Sequence, residues 1–319
     1  MLNALKPQFS AKRLPPIVLQ AFCWLLTAIV LYAEDPTEIR YTMPEHHPVF
    51  SHFARKMAPL RMWGNPVFLS DSFLGTVSRA EFTAQTTREG PDAVGVAGLP
   101  AFNEEYFEWI DLLESVQAAN EIYTFMELGA GYGRWSVRAA FAAGLERTRL
   151  VAVEAEPTHY QWMLQHCRDN GLGIAPCIIP TLVEAAVSDT PGECLFLTGR
   201  PAEWYGQRIA TLNEEGLTTE TVTLADLLRP HQLVDLIDVD IQGQEYLVIR
   251  AGLDDLNAKV KRLHIATHSA EIERDLRDLL SVQLWEPVWD YECGKTQETS
   301  YGPIEFLDGV QGWVNQRFL

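Results

Sequence analysis

The stretch Thr124-Phe-Met-Glu-Leu-Gly129-Ala-Gly131-Tyr-Gly133-Arg-Trp135 decides how the chain is to be read. An apolar run ends in an acid, Glu127, and glycines then occupy every second position before helix-like residues from Ser136 to Ala143. The pattern predicts a buried strand turning sharply into a helix, with a backbone too crowded for side chains at the turn. A ligand could then lie on bare backbone at the helix N-terminus. Spacing separates the candidates. A dinucleotide fingerprint, G-x-G-x-x-G, needs its third glycine at position 134, where Arg134 stands. The G-x-G-x-G form, with Glu127 two residues before Gly129, fits instead a loop for adenosyl-methionine, which has no pyrophosphate to cradle. A glycine-rich turn in another α/β protein is the plain alternative.

Beyond residue 120, strand-like and helix-like segments alternate. Tyr123–Leu128, Leu150–Glu154, a segment within Leu182–Val187, Leu233–Asp240 and Arg262–His268 read as strands. Helices are expected at Ser136–Ala143, at His159–Asn170 closed by Gly171, after Asp240 to near Gly252, and at Ile272–Leu280 behind the N-cap Ser269. Tyr106, Trp109, Ile110, Leu113 and Val116 recur at helical spacing ahead of the first strand. The order implies a mostly parallel sheet with helices on both faces and an antiparallel C-terminal edge drawn from Gly302 to Asn315. Ligands bind beyond the carboxyl ends of such strands, where Glu127, Glu154, Asp238, Asp240 and His268 fall.

Composition narrows the partners. The 319 residues carry 43 acidic against 25 basic side chains, a net charge of −18, and are 47% hydrophobic. That field repels a phosphate backbone, so nucleic acid is not an expected substrate. Cys23, Cys167, Cys177, Cys194 and Cys293 show no C-x-x-C or zinc spacing, and read as free thiols of a reducing compartment; no metal is expected. Residues 1–33 form a basic and apolar N-terminal segment. Within it, Ile17–Ala33 follows Lys12, Arg13 and Pro15-Pro16, and reads as a membrane helix, with a buried helix or a cleaved signal as alternatives. Its short length and the cytosolic origin of adenosyl-methionine suit a helix lying on the inner membrane face, leaving a cytoplasmic catalytic domain. Residues 34–100 read as an irregular extension in which His46-His47 are surface histidines, and 101–319 as the catalytic domain.

Several residues could carry chemistry. Glu154, 25 positions beyond Gly129, can accept both hydroxyls of a ribose. Glu184 and Ser188-Asp189 lie where an adenine edge would be read. Asp238 and Asp240 share a strand face, and carboxylates in an apolar strand need a reason to be there. His264 and His268 share a face of the next strand, and His268, at its end, is the expected general base, since imidazole titrates near neutrality.

Together, Glu127-Leu-Gly-Ala-Gly-Tyr-Gly-Arg-Trp135, Asp238-Val-Asp-Ile-Gln-Gly-Gln-Glu245 and His264-Ile-Ala-Thr-His-Ser269 resemble the FkbM-type methyltransferases. Asn103–Trp109, Trp204–Gln207 and Asp308–Asn315 extend the likeness over about residues 100 to 319. The resemblance implies a Rossmann-like class I methyltransferase fold. It also implies a methionine site at Glu127, Gly129 and Gly131 with Gly133 completing the loop, a ribose site at Glu154, and Asp240 as the strand-four acid. The expected activity is S-adenosylmethionine-dependent O-methylation of a carbohydrate, glycan or secondary-metabolite hydroxyl, with Asp240, His268 and Asp238 as catalytic residues. Trp204, Tyr205 and Trp313 could stack on sugar rings. An NAD-dependent oxidoreductase and a non-catalytic, membrane-tethered binding protein are the alternatives.

Overall fold

The computed structural model describes residues 44–56, 68–83, 98–174, 179–203, 205–211 and 213–319. The expectations for Ile17–Ala33, Cys23, Cys177 and Trp204 fall outside them. Among the described residues no helix is long and apolar enough to cross a membrane.

A hairpin of β1 (Phe68–Ser70) and β2 (Val77–Arg79) precedes α1 (Glu105–Ala118). Then β3 (Tyr123–Leu128), α2 (Arg134–Ala143), β4 (Thr148–Glu154), α3 (Pro157–Asp169) and β5 (Thr181–Glu184) follow in turn. All six residues of β3 are buried. Phe125 packs with Tyr106, Val137 and Leu150 on one face, while Met126 and Leu128 pack with Ile237 and Ile265 on the other. This two-sided burial is why the strand reads as an unbroken apolar run. The strand expected within Leu182–Val187 divides at Ala185, whose amide bonds to the Glu154 carbonyl. Its first part edges the main sheet, and its second, β6 (Ala186–Val187), opens a smaller sheet with β7 (Gly192–Leu197), β8 (Arg208–Ile209) and β9 (Leu217–Val222).

After α4 (Leu224–Leu228) come β10 (Leu236–Val239), α5 (Glu245–Ala251), α6 (Leu253–Lys259), β11 (Arg262–Thr267) and α7 (Ala270–Ser281). Ser269 caps α7 by accepting from the Ile272 amide at 3.2 Å, as its sequence position predicts. The chain ends in β12 (Trp285–Tyr291), a hairpin of β13 (Lys295–Thr299) and β14 (Gly302–Phe306), and β15 (Gly309–Asn315). The seven-stranded sheet runs β12-β15-β11-β10-β3-β4-β5. Only β15 opposes the rest; it sits between β11 and β12, one place in from the edge expected to be antiparallel. This is a Rossmann-like α/β fold, a mostly parallel sheet covered by helices.

Residues 45–319 form one compact unit, so packing begins well before residue 100. Phe50 stacks on Tyr106 and Phe73 meets Trp109, at centroid distances of 5.3 and 5.2 Å. Burial alone would raise the Asp71 pKa, but Arg138 and Arg134 outweigh it and hold this carboxyl well below the usual range. Arg138 is itself sandwiched between Trp109 and Trp135. The histidine pair expected at the surface is half-buried: His46 stacks on Phe102 at 4.8 Å, and the His47 amide donates to the Tyr106 hydroxyl.

Candidate active site

The glycine turn works as the spacing predicts, but its glycines serve different ends. Gly129, at φ 82°, passes so near β10 that a Cβ would stand 1.7 Å from the Asp240 carbonyl oxygen. Gly131, at φ 53°, faces the Tyr205 ring, and its amide donates to Glu154 Oε2 at 2.6 Å. Gly133 lines neither cavity over this turn; a Cβ there would meet Met163 at 2.9 Å, so this glycine lets α2 and α3 close together. Glu127 accepts the Trp135 and Ser136 amides at 3.1 and 2.8 Å, capping α2.

Two cavities meet over this turn and share Gly129, Gly131, Tyr205 and Asp240. The narrow one, about 80 Å³, has apolar walls from Val153, Ala155, Ala186, Phe196 and Ile209, with Glu154, Gln207 and Gln242 among its polar lining residues. Apolar walls and a carboxylate suit a nucleoside, whose hydroxyls would donate to Glu154. Burial pushes Glu154 up to about 7. Neither Glu184 nor Asp189 lines this slot. Glu184 points to solvent, and Ala185, Ala186 and Val187 between them supply the wall, because the chain leaves the main sheet at that point.

The wide cavity, about 360 Å³, is acidic. Strand register builds its floor: Glu127, Asp238 and His264 are paired neighbours on β3, β10 and β11, so their side chains share one rung on one face. Helix α1 closes the floor from above with Glu108, which hydrogen-bonds Asp238. Burial first, then the Asp238 charge, lifts Glu127 to about 8; burial also holds Glu108 well above the usual range and Asp238 at about 6. A cationic ligand such as a sulfonium or ammonium group would offset these crowded carboxyls.

Asp240 is half-exposed at the rim, with Oδ1 accepting from Gln242 at 2.7 Å. His268 sits behind it and lines neither cavity. Its Nδ1 meets Glu245 at 2.8 Å, and its Nε2 lies 3.3 Å from Asp240 and 3.7 Å from Asp308. Burial disfavours its charge, yet the bonds to Asp240 and Glu245 prevail and raise it to about 10. Flanked by three carboxylates, the ring favours its charged form, which suits a positioning role better than that of the expected base. Trp313 is a core residue, 1% exposed with its Nε1 donating to Gln311, and reaches no ligand.

The sequence reading missed Glu104, Glu108 and Asp111. Their signal was present: positions 104, 108, 111 and 115 recur at helical spacing as a polar stripe along one side. Glu104 accepts the Leu307 and Asp308 amides, Asp111 meets His264, and Ser115 bonds the Tyr123 hydroxyl.

Comparison with known proteins agrees with this geometry. A protein of Jannaschia sp. (strain CCS1) named as a methyltransferase is 31% identical over 193 residues, covering 56% of this chain and 67% of its own. The FkbM methyltransferase structure from Methylobacillus flagellatus KT superposes with a TM-score of 0.41 at 11% identity, over 60% of this chain and 44% of that one. A structure named as a SAM-dependent methyltransferase from Streptococcus mutans gives 0.42 at 11%, over 79% and 56%. Residues 127–287 match the family described as the Methyltransferase FkbM domain. On this match and that relative, the chain belongs to the FkbM methyltransferase family and is an S-adenosylmethionine-dependent enzyme.

Proposed function

We propose that the protein methylates a hydroxyl of a carbohydrate, glycan or secondary metabolite. The observation that carries this reading is the junction of a narrow, largely apolar slot that bears Glu154 with a chamber of about 360 Å³ whose walls bear many hydrogen-bond acceptors. In this reading Glu154 holds the ribose, Glu127, Gly129 and Gly131 hold the methionine part, and Asp238 and Asp240 orient the acceptor, with His268 fixing Asp240. The cofactor supplies an electrophilic methyl group, and the protein positions the acceptor against it. The net charge of −18 disfavours nucleic acid. Cytosolic supply of the cofactor assigns the catalytic domain to the cytoplasm. Calorimetric titration with S-adenosyl-homocysteine, followed by transfer of labelled methyl into a panel of cell-envelope glycans, tests the proposal. Label confined to protein or nucleic acid would overturn it.

A further inference from the structure

We infer that His264, held by Asp111, is the base that takes the acceptor's hydroxyl proton, an assignment that rests on reading the site as a hydroxyl methyltransferase. His264 lies on the chamber floor beside Asp238, and both it and Asp111 are almost wholly buried. Asp111 reaches across from α1. Its Oδ2 meets His264 Nδ1 at 2.8 Å, while its Oδ1 accepts from Trp289 Nε1 at 3.1 Å and faces Arg262 Nη1 at 3.4 Å. A carboxylate paired with a guanidinium only accepts, so the proton of the histidine bond sits on Nδ1. In a neutral imidazole the lone pair is then on Nε2. This is the orienting-acid and histidine arrangement of nucleophile-activating sites.

A second observation supports the pairing. Gly312 is the neighbour of His264 on β15, and a Cβ there would stand 2.8 Å from Asp111 Oδ2. The glycine keeps open the gap through which the carboxylate reaches the ring. His268 is less suited to that role, because Glu245 and Asp240 flank its two nitrogens and neither cavity reaches it.

The step balances without another reactant. As the acceptor oxygen bonds to the methyl carbon, the carbon–sulfur electron pair returns to sulfur and leaves neutral S-adenosyl-homocysteine. The hydroxyl proton passes to His264 Nε2 and then to solvent. Asp111 touches no reacting atom; it positions the ring.

The test uses the full chain labelled with ¹⁵N-histidine and saturated with S-adenosyl-homocysteine. Long-range ¹H–¹⁵N spectra should show the His264 proton on Nδ1 and a bare Nε2, and Asp111→Asn should move that proton to Nε2. His264→Asn should cut labelled-methyl transfer to the cell-envelope glycan fraction about 100- to 10,000-fold, with S-adenosyl-homocysteine affinity kept within about threefold. A proton on Nε2 in the unmodified protein overturns the dyad, as does a His264→Asn variant whose transfer stays within about threefold. The spectrum decides even where no glycan takes label. Failure of the unmodified protein to bind S-adenosyl-homocysteine would instead overturn the reading of the site.

Discussion

The two halves of the cleft are made differently. The narrow half draws on the turn after β3, the end of β4, the start of β6, strands β7 and β8 and the residues after β10, and its walls are largely apolar. The wide half gathers acids from α1, β3, β10 and the loop before β15, residues up to about two hundred positions apart. The contrast teaches that both halves are products of assembly, one walled by apolar side chains and the other by carboxyls. Their electrostatics differ in number: the wide half crowds Glu108, Glu127 and Asp238 together, each raised by burial, whereas in the narrow half Glu154, raised by burial as well, accepts two backbone amides.

The sharpest way to break the division is at Gly129, which lines both halves. Gly129→Ala combines a left-handed backbone with a collision against the Asp240 carbonyl, and is expected to cost more than about 3 kcal/mol in urea unfolding. Gly144→Ala, also at positive φ but in open space, should cost only about 1 to 2 kcal/mol. Equal losses would mean that strain, not contact between the turn and β10, fixes Gly129.

Affinity offers a finer cut. Glu154→Gln removes a charged acceptor and should weaken S-adenosyl-homocysteine binding about 10- to 100-fold by calorimetry. Glu108→Gln, on the chamber side, should change it less than about threefold. Comparable losses from the two would show that the halves bind as one.

The smallest expected effect is in pH dependence. Glu127 and Glu154 stand at about 8 and about 7, above the ordinary 4.5, so the folded state keeps protons that the unfolded chain releases. Their contribution is fully present below about pH 4.5 and is lost as pH rises through 7 and 8. His268, held at about 10, shifts stability the same way above pH 6.5. The histidines that burial lowers, His46, His159, His166 and His231, favour folding as pH rises, but only up to about 6.5. The melting temperature should therefore fall by roughly 2 to 6 °C between pH 6.5 and 8.5, and Glu127→Gln should flatten that slope. A rising or level curve in the unmodified protein would contradict the chamber's electrostatics.

Much was legible in the sequence because it depends on neighbours along the chain. Apolar runs and glycine spacing specified the strand–turn–helix unit, since only glycine tolerates the positive φ at residues 129, 131 and 133. Ser269 could be named as a cap because capping is settled within one helical turn. The acid at residue 154 followed from its place at the end of a strand. What the tertiary structure alone decided was which side chains meet. Glu127, Asp238 and His264 form one rung through strand register, and a shift of one residue would turn each to the other face. Asp111 finds His264 only when α1 lies across the sheet, and His268 is drawn toward its charged form only where Asp240 and Glu245 converge on it. Periodicity reports which residues turn inward; contact across more than a hundred positions is set by packing, and packing belongs to the whole fold.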